Sequence, residues 1–169
     1  MRGLLVGRYQ PFHKGHLEVL IEAMRKCDEL IVGIGSAQES HTMENPFTAG
    51  ERIEMIRLCL GKERLARVIM IPIPDVNRFA IWVSHIESLV PPFKAVFTNN
   101  PLTKSLFDAK RYKVYKTKIY DRSIYSGTVI RERMLNGEDW EDLVPSKAMG
   151  YLRKLDGPSR IKAATSKEE

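Results

Sequence analysis

The stretch MRGLLVGRYQPFHKGHLEVLIEAM (residues 1–24) decides the predicted fold, because it contains a strand, a glycine-bearing turn and a helix in that order. Residues 3–6 form an apolar run typical of a buried strand, and residues 17–24 carry apolar side chains at helical spacing. The turn between them, GRYQPFHKGH (residues 7–16), leads into the helix. A helix N-terminus offers free N–H groups and a partial positive charge, so this turn is where an α/β sheet would hold a phosphate.

The alternation of strand and helix continues along the chain. Further strands are predicted at residues 30–34, 68–73, 95–98 and 112–115, and further helices at residues 53–60 and 81–89. Thr48 and Glu51 have the spacing of a capping box, which marks the start of the second helix. Because parallel strands need crossover connections, the pattern predicts a Rossmann-like α/β fold, a doubly wound parallel sheet with helices on both faces. Ligands should then bind at the carboxyl ends of the strands.

The end of the chain is predicted to be helical. After Tyr120 the candidate helices are residues 128–135 and 147–155, and Gly137 and Pro145 act as breaks. Residues 157–169 are polar and are expected to form a loosely ordered tail. The predicted organisation is therefore one α/β domain over residues 1–156, with a helical C-terminal segment, followed by that tail.

Composition leads us to expect a cytoplasmic protein of one domain. Its 169 residues and 43% hydrophobic content suffice for one core. Cys27 and Cys59 lie outside any Cys-x-x-Cys pair, which argues against a disulfide framework and a zinc knuckle. The apolar run after Arg2 is too short for a signal peptide, and no stretch approaches a membrane span. The net charge of +6 fits nucleic acid, a phosphate-rich small molecule or merely a basic surface, so it decides nothing alone.

The first turn has residues that suit a polyphosphate. Gly7 and Gly15 would let a ligand approach the backbone closely, while Arg8 and Lys14 would supply positive charge. Other phosphate-loop designs are missing: the chain has no Gly-x-x-x-x-Gly-Lys-Ser/Thr, and residues 33–38 lack the third glycine of a dinucleotide fingerprint. Both a P-loop ATPase and a dinucleotide oxidoreductase are therefore disfavoured.

His13 and His16 stand three residues apart at the start of the first helix and can point the same way, either as neutral donors or as imidazolium ions. A metal site is the rival interpretation, but no third Cys, His or carboxylate accompanies them in the motif. We therefore expect both histidines to bind phosphate.

A second segment, YSGTVIR (residues 125–131), repeats the design of the first. Ser126 is a plausible N-cap, Gly127 and Thr128 open a helix, and Arg131 follows one turn later. Arg131 could be only a solvated helix charge. If both segments are phosphate sites, two helix N-termini would hold one triphosphate.

These two segments carry a family resemblance. HKGH (residues 13–16) resembles the His/Thr-x-Gly-His motif of the nucleotidylyltransferase superfamily, and residues 125–131 are similar to its Ser-x-Thr-x-x-Arg motif. Residues 7–16 look like the archaeal nicotinamide-mononucleotide adenylyltransferases in particular. Further stretches resemble the same enzymes, so that the similarity covers about residues 1–155: GSAQ (35–38), PFTAGER (46–52), Asp75 and AIWV (80–83).

The resemblance implies transfer of AMP from ATP to nicotinamide mononucleotide, giving NAD and pyrophosphate. It implies that the catalytic residues are His13, His16 and Arg131. It implies that ATP is bound by Gly7, Arg8, Gln10, Phe12, Lys14, Gly15, Tyr125, Ser126, Gly127 and Thr128, and nicotinamide mononucleotide by Ser36, Asp75 and Trp82. Trp82 would stack on the nicotinamide ring, although its helical spacing also fits a core residue.

The resemblance further implies Mg²⁺ carried by the ATP phosphates, no metal held by the protein, and a homo-oligomer, with a hexamer as the expected form. Two positions depart from the family pattern. Glu44 stands where a basic residue is common, and Phe79 stands where an asparagine is common.

Two kinds of alternative stay open. Other enzymes of the superfamily transfer AMP or CMP to phosphopantetheine, flavin mononucleotide or glycerol phosphate, and only the middle segments of this chain speak against them. A nucleic-acid-binding module is suggested by the basic residues Lys104, Lys110, Arg111, Lys113, Lys116 and Lys118. Because this cluster has no interleaved stacking aromatics beyond Tyr112 and Tyr115, we expect no nucleic-acid partner, and no membrane partner either.

Overall fold

The computed structural model describes residues 1–118, 121 and 123–166. In these residues five strands are β1 (Arg2–Gly7), β2 (Glu29–Ile34), β3 (Val68–Pro72), β4 (Ala95–Phe97) and β5 (Lys113–Tyr115). The helices are α1 (Lys14–Met24), α2 (Ala49–Leu65), α3 (Phe79–Leu89), α4 (Pro101–Ala109), α5 (Gly127–Asn136), α6 (Ser146–Lys154) and α7 (Gly157–Thr165). A short 3₁₀ turn, Glu141–Leu143, lies between α5 and α6. All predicted strands and helices are confirmed to within a few residues.

The five strands form one parallel sheet in the order β3-β2-β1-β4-β5. The chain winds outward from β1 to β3, and then returns to the other side of β1 with β4 and β5. The point where the direction reverses lies between β1 and β4, and in such sheets the carboxyl ends of these two strands form a crevice. The predicted doubly wound fold is confirmed, and it predicts where a ligand should bind.

Both faces of the sheet are covered, which explains the almost continuous apolar strands. On one face Leu4 packs in a core with Ile86 of α3 and Phe107 of α4. On the other face Leu5 packs in a larger core that includes Ile130 of α5. The alternation of Leu4 and Leu5 along β1 therefore divides the interior into two layers.

Helix α4 was not among the sequence predictions. It begins after Asn100, whose side chain accepts a 3.0 Å hydrogen bond from the Thr103 N–H, and it has Pro101 in its first turn. These are standard start signals, but the helix has only nine residues and one fully buried side chain, Phe107. At nine residues it is too short to give an extended amphipathic pattern, so the search for apolar spacing passed over it.

The predicted loose tail is wrong for residues 157–165, which form α7. Asp156 caps this helix, Ile161 is buried in the larger core, and Ala164 is also buried. Arg160 forms an ion pair of 2.5 Å with Glu51 of α2. Two apolar anchors and one ion pair thus order a segment whose composition is mostly polar. Residues 167–169 of the predicted tail lie outside the described residues.

Candidate functional site

The first turn folds into a cap for α1. His13 is the N-cap, and its Nδ1 accepts a 3.2 Å hydrogen bond from the His16 N–H. The Nδ1 of His16 accepts in return a 3.3 Å hydrogen bond from the His13 N–H. This is a capping box in which histidines replace the usual hydroxyl and carboxylate. The two imidazole rings stack with their centroids 3.5 Å apart.

This reciprocal cap determines how each histidine can act. A ring nitrogen that accepts a hydrogen bond carries no proton, so in both residues the proton of the neutral ring is on Nε2. Burial lowers the pKa of His13 to about 4. Burial, and then the neighbouring His13, lower the pKa of His16 well below its ordinary value. Of the two protonation states that the sequence allows, the structure favours neutral rings that donate through Nε2–H.

The second motif meets the first at the start of α5. Ser126 caps this helix by accepting a 3.1 Å hydrogen bond from the Val129 N–H, as predicted. A Cβ atom on Gly127 would lie 2.7 Å from the carbonyl oxygen of Gln10, so only glycine permits this close approach. The N-termini of α1 and α5 therefore converge, as two halves of one phosphate site require.

Arg131 is buried where these helices meet. Its Nη1 donates a 2.7 Å hydrogen bond to the Gln10 carbonyl oxygen, and its Nη2 donates a 3.4 Å bond to the hydroxyl of Thr128. Its Nε has no partner among the described residues. Burial, followed by repulsion from Arg8, lowers the pKa of Arg131. An anion between these two arginines would relieve the repulsion.

These groups surround a cavity of about 420 Å³ at the carboxyl ends of β1 and β4, the point that the sheet topology predicts. We call it the first cavity. The predicted site residues that line it are Arg8, Gln10, His13, Gly15, His16, Tyr125, Ser126, Gly127, Thr128 and Arg131.

Three residues predicted to bind ATP do not line the first cavity. Gly7 ends β1 and leaves room for the Tyr9 ring, which a Cβ atom would approach to 2.7 Å. The ring of Phe12 is fully buried and stacks on His16. Lys14 is exposed on the outer side of α1. Any contact of Gly7 or Phe12 with a ligand would have to come from the backbone.

Gln10 lines the first cavity, but its side chain is already engaged. The amide accepts a hydrogen bond from the Phe47 N–H at 3.0 Å and donates one to the Phe47 carbonyl oxygen at 2.8 Å. The role of Gln10 is therefore to join the first turn to the loop before α2. Its prediction as a ligand contact rested on its position in the motif, which does not reveal such pairing.

A second cavity of about 390 Å³ lies beside the first and shares Arg8 with it. Ser36 and Asp75 line it, as do Glu39 and Glu44. Gln38 joins the two loops that form it: its amide donates to the Asp75 carboxylate at 3.1 Å and accepts from the Asp75 N–H at 2.9 Å. The structure thus brings together two of the three residues predicted to bind the acceptor.

Trp82, the third of these residues, lines neither cavity. It is half-buried on α3 and its ring packs edge-on against Phe107, with 5.7 Å between centroids. Both the core interpretation and a partly exposed ring remain compatible with this position.

The sequence analysis assigned no role to two residues that the site depends on. The Tyr9 ring packs edge-on against His16 at 4.9 Å, and burial raises the pKa of its hydroxyl. Arg52 is fully buried beneath both loops of the second cavity. The left-handed backbone of Tyr9 and the burial of Arg52 depend on tertiary structure, so no local pattern could indicate them.

Comparison with known proteins shows what this chain is similar to. A family model described as cytidylyltransferase-like matches residues 4–133. The chain is 49% identical to a nicotinamide-nucleotide adenylyltransferase of Methanococcus aeolicus, covering 99% of this chain and 97% of the relative. It is 48% identical to the enzyme of that name from Archaeoglobus fulgidus, covering 99% of both chains.

A likeness to a solved structure supports the fold. The crystal structure of a bifunctional NMN adenylyltransferase/ADP ribose pyrophosphatase from Francisella tularensis superposes with a TM-score of 0.79 at 22% identity. The match covers 98% of this chain and 52% of that one, so the present chain spans about half of the bifunctional protein. At this identity the likeness concerns the fold alone.

Proposed function

Because the chain belongs to the cytidylyltransferase-like family, and within it to the nicotinamide-nucleotide adenylyltransferases, we propose that it joins the AMP part of ATP to nicotinamide mononucleotide. The products are NAD and pyrophosphate, which makes the protein an enzyme of NAD biosynthesis. One structural observation carries the proposal: the N-termini of α1 and α5 bring His13, His16 and Arg131 to one cavity.

In this reaction an oxygen of the acceptor 5′-phosphate attacks the α-phosphorus of ATP. The bond between that phosphorus and the oxygen bridging to the β-phosphate breaks, and pyrophosphate leaves with the electron pair. No covalent enzyme intermediate is needed, so the side chains orient the phosphates and stabilise growing negative charge. The Nε2–H groups of His13 and His16 and the guanidinium groups of Arg8 and Arg131 are donors suited to this task.

The first cavity is our candidate for the ATP site. Ser126, Gly127 and Thr128 open α5 toward it, so their N–H groups suit the β- and γ-phosphates, with Arg131 behind them. His13 and His16 would then lie beside the α-phosphate. The second cavity is our candidate for the acceptor, because Arg8 stands between the two and can contact phosphates in both.

We propose that Mg²⁺ enters with ATP. The charged groups around the first cavity, Arg8, Lys118 and Arg131, are donors that suit phosphate oxygens and cannot ligate a cation in their protonated form. In the described part of the chain no group of three or more His, Cys, Asp or Glu residues is placed to hold a metal ion. Oxygens of the triphosphate would supply most of the ligands of Mg²⁺, which would neutralise charge on the leaving pyrophosphate.

The proposal extends to location and assembly. No described helix is both long and apolar enough to cross a membrane. We propose a cytoplasmic enzyme that works as a homo-oligomer, with a hexamer as the form to test by light scattering, and with no nucleic-acid partner.

An acceptor panel tests the proposed function. Purified protein is supplied with Mg-ATP and one of nicotinamide mononucleotide, phosphopantetheine, flavin mononucleotide or glycerol phosphate, and pyrophosphate release is measured. We expect nicotinamide mononucleotide to give the highest kcat/KM. If phosphopantetheine reacts best, the acceptor is wrong and only transfer of a nucleotidyl group remains.

A further inference from the structure

Arg52, in the first turns of α2, is the buried charged residue that the reaction above does not use. Its side chain is fully buried, with 0% of its surface exposed. Within the described part of the chain, the guanidinium makes hydrogen bonds only to backbone carbonyl oxygens. These are the oxygens of Arg8 (2.9 Å), Gly35 (2.7 Å), Ser36 (3.1 Å), Glu39 (3.4 Å) and Thr48 (3.2 Å).

No carboxylate among the described residues lies within ion-pair distance of the Arg52 guanidinium, whereas buried charges in proteins are normally paired. Burial, and then the charge of Arg8, lower the pKa of Arg52 to about 10, so it remains protonated near neutral pH. The carboxylates of Asp75 and Glu51 act on Arg52 only from further away, where they oppose the lowering of its pKa. A fixed positive charge therefore lies directly below the loops that carry Arg8 and Ser36.

Three of the five carbonyl oxygens held by Arg52 belong to residues that line the second cavity. These residues are Arg8, Ser36 and Glu39. Of the five residues whose carbonyl oxygens Arg52 holds, Arg8 is the one that also lines the first cavity. Because the guanidinium is planar and rigid, its donors fix the turn after β1 and the loop after β2 at one distance from each other. A further bond of 2.8 Å, from the Gly35 N–H to the Gly7 carbonyl oxygen, joins the same two segments.

We propose that Arg52 is a positioning residue for the phosphate of the acceptor. It holds the backbone of Arg8 and Ser36 so that the Arg8 guanidinium and the Ser36 hydroxyl can bind one phosphomonoester in the second cavity. The inference rests on the proposed function, since it takes the second cavity to be the acceptor site.

The decisive variant is Arg52→Lys. Lysine keeps the positive charge. Its ammonium group, on a flexible side chain, cannot replace a planar guanidinium that donates to carbonyl oxygens in both the turn after β1 and the loop after β2. Loss of the guanidinium should raise the KM for nicotinamide mononucleotide at least about tenfold, as for loss of a charge-assisted hydrogen bond. The KM for ATP should change by less than about threefold, because Arg8 is the one residue held by Arg52 that also lines the first cavity, our candidate for the ATP site.

Arg67 provides a control with the same kind of bonding, although Arg67 is an exposed residue. Among the described residues its guanidinium donates to backbone carbonyl oxygens alone, those of Met24, Cys27 and Asp28, and it lies just before β3, at the opposite end of the sheet. Arg67→Lys should leave both KM values unchanged. If Arg52→Lys alters thermal stability alone, or raises the two KM values equally, Arg52 is only a structural residue and the inference is overturned.

A measurement on the unmodified enzyme covers the case in which Arg52→Lys does not fold. The Nε–H NMR signal of Arg52, shielded from solvent, should shift on addition of nicotinamide mononucleotide and shift less on addition of nicotinamide riboside, which lacks the phosphate. Equal shifts would overturn the inference. Its failure is distinguishable from failure of the proposed function, because in the latter case the unmodified enzyme would not use nicotinamide mononucleotide at all.

Discussion

The guanidinium of Arg131 donates a hydrogen bond of 2.7 Å to the carbonyl oxygen of Gln10, a residue 121 positions earlier in the chain. Gln10 in turn holds the backbone of Phe47 with its side chain. The Phe47 ring lies against the Arg160 guanidinium of α7, at 5.9 Å from ring centroid to Cζ. Residues 7–16, residues 125–131, the loop before α2 and helix α7 are therefore connected by direct contacts, and a change in one should affect the others.

Arg131→Ala should weaken the use of ATP more than the use of the acceptor. The variant removes a buried guanidinium from the first cavity, our candidate for the ATP site, and leaves the Gln10 carbonyl oxygen without its partner. We expect kcat/KM for ATP to fall at least about a hundredfold. Arg133→Ala is the control, because Arg133 lies on the same helix but bonds to Asp139 outside the cavity. A rise in the acceptor KM alone would assign Arg131 to the wrong substrate.

His16 can be tested with two isosteric replacements. Asparagine can supply an acceptor near the Nδ1 position and so keep the cap on the His13 N–H, but it has no donor where Nε2 was. His16→Asn should therefore fold and lose at least about a hundredfold in kcat. Glutamine places an amide near the Nε2 position, so His16→Gln should retain more activity with a weaker cap. Higher kcat in the asparagine variant would contradict the role of Nε2–H.

Acid sensitivity follows from the buried His13. Its pKa is 6.5 in an unperturbed chain and about 4 in the folded protein. Between these values the unfolded chain binds a proton that the folded protein does not, so the free energy of unfolding falls as the pH falls. From about pH 7 to about pH 5 His13 alone should account for a loss of about 2 kcal/mol. Urea unfolding of the wild type and of His13→Gln measures this, and an equal loss in both would contradict it.

Local sequence patterns predicted the sheet and the helix starts beside the first cavity, because strands and caps depend on neighbouring residues. The strand at residues 3–6, the Thr48 cap and the Ser126 cap depend on neighbouring residues, and all three are present. Residues 13–16 and 125–131 meet because each opens a helix on the same side of the sheet, which follows from the predicted topology.

The features that the sequence did not predict depend on distant contacts. Arg52 resembles any helix charge until the fold surrounds it with carbonyl oxygens from residues 8 to 48. The side chain of Gln10 could have faced a ligand, but the nearby Phe47 backbone engages it. Helix α7 has only two buried apolar side chains, and its order depends on α2 and α5.

Ile161→Ala tests whether α7 is an integral part of the domain. The Ile161 side chain is fully buried in the larger core, so truncation should lower the free energy of unfolding by about 2 to 5 kcal/mol. Lys162→Ala, on the exposed side of the same helix, should change it by less than about 0.5 kcal/mol. Similar effects of the two variants in urea titrations would mean that the helix contributes little to the fold.

Trp82 is the residue for which stacking and packing make different predictions. If its ring also stacks on the nicotinamide, Trp82→Ala should raise the KM for nicotinamide mononucleotide several-fold and leave the KM for ATP nearly unchanged, since a stacking contact contributes about 0.5 to 1.5 kcal/mol. Trp82→Phe, which keeps an aromatic face, should recover part of the loss. Phe107→Leu is the control, because it loosens the packing of Trp82 without removing its ring. If Phe107→Leu raises the acceptor KM as much as Trp82→Ala does, Trp82 acts only by packing in the core.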